Sequence, residues 1–173
     1  MNKIKILRII HTLDTKHGGP QNAIIDNSQA LIKKGFKVDI LTSDKKFIYR
    51  NNKKLIRIFN IGPSFFEYGF NINLIFWLIK NKKNYDIFII HGLWTFYSFI
   101  GRLLLKDKYF VFAHGQLDPF FGQDLFKRIK KKIYWFLIEK QNLINAKSLL
   151  LTTANKKKLL LDTYVNTNNI KKK

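Results

Sequence analysis

Short apolar runs alternate with longer segments in which apolar residues recur at helical spacing. The apolar runs are typical of buried strands and predict six of them, over 4–10, 37–42, 55–59, 86–91, 109–113 and 148–152. The segments between them predict helices over 21–34, 73–82, 98–105, 125–145 and 155–164. The polar stretch 43–54 and the turn-rich, aromatic stretch 62–69 predict loops. This alternation predicts an α/β fold in which helices cover both faces of a parallel sheet.

The composition fits one ordinary folded domain over residues 1–173. A hydrophobic fraction of 46% argues against disorder, and the lack of cysteine excludes disulfides and cysteine-ligated metals. No signal-peptide pattern is visible at the start, and the apolar stretches 74–79 and 87–90 are too short to cross a bilayer. We therefore expect a cytoplasmic protein, either soluble or peripheral at the inner face of the membrane.

The formal net charge of +21 has two interpretations. One is attraction to an anionic membrane face, a nucleic acid or a phosphorylated substrate. The other is that lysine is the default surface residue of a chain rich in lysine, asparagine, isoleucine and phenylalanine. Because the lysines are spread along the whole chain and no nucleic-acid-binding module is recognisable, we expect no nucleic-acid partner.

A glycine pair, Gly18 and Gly19, precedes Pro20 between the first predicted strand and the first predicted helix. The glycines allow a tight turn and leave bare amides at the helix N-terminus, where a phosphate can bind. A plain strand-to-helix connection explains the same residues equally well, because neither G-x-G-x-x-G nor a Walker lysine is present.

Histidines follow three of the predicted strands. The first strand ends at His11, the fourth at His91-Gly92 and the fifth at His114-Gly115, while His17 lies in the loop after the first. Ligands of open α/β sheets bind beyond the carboxyl ends of the strands, and a following glycine allows close approach. A lone histidine at a strand end is more often structural, but two His-Gly pairs at equivalent ends predict a ligand site along this edge.

Four segments together resemble the group 1 glycosyltransferases of glycosyltransferase family 4. They are 11–23 (H-x-L-D-x-K-H-G-G-P-Q-x-A), 30–42 (A-L-x-x-x-G-x-x-V-x-x-L-T), 91–94 and 114–119. Members of this family are retaining, nucleotide-sugar-dependent enzymes with a GT-B fold made of two Rossmann-like halves. The resemblance covers nearly the entire chain and is to the N-terminal, acceptor-side half, so it implies a Rossmann-like domain.

The resemblance also implies roles for particular residues. Gly18 and Gly19 match a glycine loop whose amides approach the donor diphosphate. His114 matches a histidine that faces the transferred sugar, which makes it the implied catalytic residue. His91 and Asp118 match the same edge as acceptor-side contacts. Gln116 departs from the pattern, because close members often carry methionine there, and is expected to be a further substrate-binding residue. The resemblance implies no metal and no cofactor besides the nucleotide-sugar co-substrate, with catalysis by positioning and by charge stabilisation on the diphosphate.

The family's donor-binding half, with its nucleotide pocket, basic pair and E-x7-E glutamates, is absent from this sequence. We therefore expect little or no transferase activity from residues 1–173 alone, and turnover by this chain alone would contradict that. The implied function is the acceptor-side domain of an enzyme acting on a surface-polysaccharide or lipid-linked acceptor. A non-catalytic peripheral-membrane or partner-binding domain is the alternative, and a nucleic-acid-binding domain fits least.

The predicted helix over 125–145 is both basic and amphipathic. Its cations are Lys127, Arg128, Lys130, Lys131 and Lys132, and its apolar face holds Phe126, Ile129, Ile133, Phe136 and Leu137, with Tyr134 and Trp135 close by. The favoured interpretation is that this face packs on the sheet and the lysines are solvated. The alternative is shallow binding to an anionic membrane surface through the basic residues and aromatic anchors.

Overall fold

A six-stranded parallel sheet forms the centre of the molecule. The computed structural model describes residues 3–14, 20–45, 55–114, 116 and 125–151, with the backbone alone at 20, 125–128 and 131. The strands are β1 (Lys5–Ile9), β2 (Lys37–Thr42), β3 (Arg57–Asn60), β4 (Ile87–His91), β5 (Tyr109–Phe112) and β6 (Ser148–Leu150). Their order across the sheet is β3-β2-β1-β4-β5-β6, and all neighbours pair in parallel. This is the strand order of a Rossmann-type sheet.

The helices follow the strands in the predicted alternation. They are α1 (Pro20–Lys33), α2 (Ile72–Asn81), α3 (Phe96–Leu105), α4 (Leu125–Tyr134) and α5 (Lys140–Asn145), and a π-helical turn, Trp135–Glu139, joins α4 to α5. Asn71 caps α2 by accepting from the Asn73 amide at 2.9 Å, and Thr95 forms a capping box with Ser98 at the start of α3. None of the described helices is long and apolar enough to cross a membrane.

Side chains of alternate residues in the strands point to opposite faces of the sheet, and both faces are covered. On one face Ile10 and Ile40 pack against Ile24 and Ile25 of α1. On the other face Leu7 and Ile90 lie in a cluster with residues of α2, α3 and α5, namely Leu74, Leu78, Ile100 and Leu143. The predicted α/β fold, with a parallel sheet between two helical layers, is confirmed.

The predicted element boundaries are correct to within one or two residues at most ends. The third strand begins at Arg57 rather than at 55, because Leu55 is exposed and the first residue to pair with β2 is Arg57, opposite Asp39. The Arg57 guanidinium also donates two hydrogen bonds to the Asp39 carboxylate, at 2.7 and 3.0 Å. The predicted loop over 62–69 is confirmed, whereas most of 43–54 and the predicted helix over 155–164 lie outside the described residues.

The predicted packing of the basic helix's apolar face on the sheet is wrong, whereas the predicted exposure of its lysines is confirmed at Lys130 and Lys132. Four residues of its predicted packing face are exposed to solvent: Ile129 (50%), Ile133 (56%), Phe136 (60%) and Leu137 (68%). The buried side is instead formed by Trp135, Glu139, Asn142 and Leu143. Two of these four, Glu139 and Asn142, are polar and form hydrogen bonds inside the protein. A prediction from apolar periodicity alone therefore selects the exposed face of the helix as the packing face.

Helix α3 packs closely on β4 at Gly101. A Cβ at this position would lie 2.0 Å from Cδ1 and 3.3 Å from Cγ1 of Ile90, which is fully buried. The missing side chain therefore allows the helix to approach the central strands.

We expect Gly101→Ala to lower the free energy of unfolding by about 1–3 kcal/mol, because Ile90 must leave its rotamer or α3 must shift. In an Ile90→Val background, which removes Cδ1, the same change should be neutral or stabilising by up to about 1 kcal/mol, because alanine is the better helix former. Urea denaturation of the four proteins measures both effects. An equal cost of Gly101→Ala in the two backgrounds would show that this contact does not set the approach of the helix.

Candidate functional site

A cleft of about 940 Å³ opens at the carboxyl ends of the strands. It lies at the point where the strand order reverses. After β1 the chain adds β2 and then β3 on one side of β1, and then adds β4, β5 and β6 on the other side. Such a switch point is the usual ligand crevice of an open α/β sheet, because the connections leave in opposite directions. The described lining residues are Ile10, His11, Thr12, Asp14, Gln21, Ser43, Asp44, Lys45, Ser64, Phe66, Glu67, His91, Gly92, Thr95, His114 and Gln116.

Two of the histidines predicted at strand ends form a pair in this cleft. His91 Nδ1 lies 2.8 Å from His114 Nε2, and both rings stack on Phe112, with centroids at 5.7 and 4.4 Å. Burial, the charge of Arg8 and the neighbouring His114 lower the pKa of His91 well below its usual range. His91 is therefore neutral near pH 7, with one ring nitrogen a donor and the other an acceptor.

The turn after β4 depends on backbone conformations that few residues adopt. Gly92 has φ +95°, Trp94 has φ +62°, and His114 after β5 has φ +46°. A Cβ at Gly92 would lie 3.4 Å from Gln116 Oε1, which accepts a hydrogen bond from the Leu93 amide. The glycine predicted to allow a sharp turn after His91 thus has that conformation. Left-handed backbone at non-glycine residues concentrates at functional sites.

The buried carboxylate of Glu139 stabilises the turn after β4 by accepting hydrogen bonds. Glu139, in the π-helical turn, is fully buried and accepts hydrogen bonds from the Trp94 amide at 2.6 Å and from Ser98 Oγ at 2.6 Å through Oε1. Its Oε2 accepts from Asn142 Nδ2 at 2.9 Å. Burial raises the pKa of Glu139, while these three donors act in the opposite direction. The Glu139 carboxylate therefore links the π-helical turn to the segment that follows β4, the strand that ends at His91.

Asp44, just after β2, organises the opposite wall of the cleft. Its carboxylate accepts hydrogen bonds from the hydroxyls of Thr12 and Thr42 and from the Leu13 amide. On the same wall, His11 Nε2 is hydrogen-bonded to Ser64 Oγ. Asp44 is not among the residues predicted from the sequence, although Thr42-Ser43-Asp44 is also a polar strand end, the same signal that predicts a site at His91 and His114.

Two buried polar atoms at the cleft lack a partner among the described residues. Gln21, in the first turn of α1, is 5% exposed, and its Oε1 accepts no hydrogen bond there. His91 Nε2 is likewise without a partner. Both residues line the cleft, and buried polar atoms are nearly always paired, so these two atoms are candidates to contact a ligand or a residue outside the described part of the chain.

The structure brings together three of the six residues carried over from the family, namely His91, His114 and Gln116. Gly18, Gly19 and Asp118 lie outside the described residues, as do His17 and Gly115. Gln21 belongs to segment 11–23, which carries the family resemblance, but it was not predicted as a site residue. Its burial and its Oε1, which has no partner among the described residues, are what mark it in the structure. Within the described part of the chain, no group of three or more His, Asp or Glu residues is arranged to hold a metal ion.

The fold has a counterpart among solved glycosyltransferase structures. A chain of sucrose-phosphate synthase from Thermosynechococcus elongatus superimposes with a TM-score of 0.59 and 13% sequence identity, over 97% of this chain and 85% of that chain. Sucrose-phosphate synthase is a glycosyltransferase of the GT-B fold, so this chain has a glycosyltransferase-like, Rossmann-type α/β fold. No protein-family model matches the sequence. No curated protein matches it either.

Glu139→Gln should remove one component of the pH dependence of stability. With its pKa raised by burial, Glu139 binds a proton more tightly in the folded than in the unfolded state, so its contribution to the free energy of unfolding falls as pH rises from the ordinary glutamate pKa through the raised one. Glutamine can keep the acceptor for Trp94 and Ser98, and Asn142, whose Oδ1 is unpartnered among the described residues, can turn its amide to match. Denaturation between acidic and neutral pH should therefore give a flatter profile for the variant.

Identical pH profiles for the two proteins would contradict this assignment of the buried carboxylate. Glu139→Ala is the companion variant, because it leaves the donors of Trp94, Ser98 and Asn142 without an acceptor. We expect it to cost about 2–5 kcal/mol, on the scale of a lost buried charged partner.

Proposed function

We propose that this chain is the acceptor-side domain of a retaining glycosyltransferase. The enzyme would transfer a sugar from a nucleotide-sugar donor to a surface-polysaccharide or lipid-linked acceptor. The glycosyltransferase-like fold supports this proposal, together with a cleft at the switch point of the sheet whose lining residues are mostly polar.

The observation that carries the proposal is the charge of the cleft. The chain has a formal net charge of +21, yet the described lining residues include three carboxylates, Asp14, Asp44 and Glu67, and one lysine, Lys45. The described part of the wall therefore has more carboxylates than lysines. Carboxylates, hydroxyls and amides are suited to an uncharged, hydroxyl-rich ligand, because each sugar hydroxyl both donates and accepts a hydrogen bond.

In this proposal His114 is the residue that faces the transferred sugar. Its partner His91 is neutral and adds no positive charge beside it, and we assign His114 to the orientation of a sugar hydroxyl through hydrogen bonding. Gln21 Oε1 is an acceptor for a further hydroxyl. Gln116 and Asp118 are assigned to the acceptor side, whereas the amides of Gly18 and Gly19 approach the donor diphosphate.

The reaction would then proceed largely through positioning. The donor-binding half of the enzyme supplies the groups that stabilise charge on the diphosphate, and this domain holds the acceptor hydroxyl in line with the sugar. No metal and no cofactor other than the nucleotide sugar is assigned to the reaction.

Saccharide binding tests the acceptor role. Saturation-transfer NMR with glucose, galactose, N-acetylglucosamine and their methyl glycosides should detect weak binding to this chain. Gln21→Ala should weaken that binding by about tenfold, the effect of one lost hydrogen bond at a desolvated site. Gln141→Ala, a change of the same residue type at an exposed position on α5, is the matched control and should have no effect.

Two results would contradict the proposal: no binding of any saccharide in the panel, or equal losses in the two glutamine variants. For the natural gene product, release of nucleoside diphosphate from a panel of nucleotide sugars provides the activity readout. His114→Asn, which tolerates a left-handed backbone, should lower kcat there.

A further inference from the structure

We propose that the outer face of α4 and the π-helical turn docks this protein on the surface of an anionic lipid bilayer. The docking face consists of Ile129, Ile133, Phe136 and Leu137 together with the lysines that flank them. It goes beyond the proposed function, because docking requires neither a sugar nor a nucleotide.

The apolar part of the docking face is continuous along the helix. Its four residues are spaced i, i+4, i+7 and i+8, so they form one stripe, and each is at least half exposed. Another side of the same helix packs on the core through Trp135 and Leu143, so the stripe is not needed to attach the helix to the domain. Four large exposed side chains in one stripe mark an interaction surface.

Charge identifies the occupant of this face. Residues 125–145 contain six lysines and arginines, and their single carboxylate, Glu139, is fully buried. Lys130 and Lys132 are exposed on either flank of the stripe, and Lys140 Nζ lies 5.7 Å from the centre of the Phe136 ring. A stripe of apolar side chains bordered by lysines, without exposed carboxylates, is suited to anionic headgroups above an acyl layer.

Protein partners fit this face less well. Lysine is depleted at protein–protein interfaces, and a second copy of a chain with a net charge of +21 would bring like charges together. Helix α2 provides an internal comparison, because it also exposes Phe76 and Ile79 but has a single lysine within its bounds. Among the described helices, α4 is the one that combines both features.

The docking face adjoins the cleft through the loop before α2. Tyr68 Oη is hydrogen-bonded to Tyr134 Oη at 2.9 Å at the end of α4, and Phe66 in the same loop lines the cleft with 85% of its surface exposed. The helix that carries the docking face therefore contacts the loop that lines the cleft. The use of this proximity for a lipid-linked acceptor rests on the proposed function, whereas the docking does not.

Vesicle co-sedimentation tests the docking directly. The chain should bind vesicles of phosphatidylcholine containing roughly one third phosphatidylglycerol, and should bind pure phosphatidylcholine vesicles about tenfold or more weakly. Raising the salt concentration should weaken binding, because the attraction is screened. Equal binding to both vesicles, or binding to neither, would overturn the proposal.

Paired variants separate the docking face from the rest of the surface. Phe136→Ser with Leu137→Ser should weaken binding to the anionic vesicles about tenfold, and Lys130→Gln with Lys132→Gln should do so to a similar extent. The matched controls on and beside α2, Phe76→Ser with Ile79→Ser and Lys80→Gln with Lys83→Gln, should change it little. Controls as damaging as the docking-face variants would overturn the proposal.

Two further readouts separate the remaining explanations. Sedimentation velocity should show the same monomeric species for the native chain and the Phe136→Ser, Leu137→Ser variant; a dimer lost in the variant would identify the face as a contact between copies and overturn lipid docking. Saccharide binding should be unchanged in that variant, so a failure of docking is distinguishable from a failure of the proposed function.

Discussion

The pairing of β1 with β4 is the constraint on which the site depends. Because β4 joins β1 on the side opposite β2, the chain reverses direction across the sheet and leaves a crevice between the loops that follow these strands. His11 and His91 flank that crevice, and the next strand, β5, adds His114. The Glu139 carboxylate then fixes the loop after β4 by accepting from the Trp94 amide, so the cleft wall is tied to the π-helical turn through a buried side chain.

Charge is distributed unevenly over the molecule, and this gives its surfaces different chemistry. Among the described residues, the cleft wall has more carboxylates than lysines, although cations exceed anions about threefold in number over the chain, 32 Lys and Arg against 11 Asp and Glu. The outer side of the basic helix has lysines and no exposed carboxylate. The two proposals, an uncharged polar ligand in the cleft and an anionic surface at the basic helix, are compatible on one small domain, because the two surfaces carry different chemical groups.

The sheet could be predicted from sequence because its strands are buried on both faces and therefore consist of near-continuous apolar runs. The histidines of the site could be predicted because each one directly follows such a run. The orientation of the basic helix could not be predicted from sequence, because its inward face contains the polar residues Glu139 and Asn142. Their burial depends on hydrogen bonds within the tertiary structure. The role of Asp44 was missed for a similar reason: its partners, Thr12 and Leu13, are about thirty positions away in the chain.

The central claim is that the switch-point cleft accepts an uncharged saccharide, and chemical-shift mapping tests it most directly. A two-dimensional ¹⁵N–¹H spectrum recorded during a saccharide titration should show saturable shifts of the Gln21 side-chain amide and of the Gly92 and Gln116 backbone amides. Residues on the outer face of α4 should not move. Shifts confined to α4, or a saturable response that maps away from the cleft, would contradict the account.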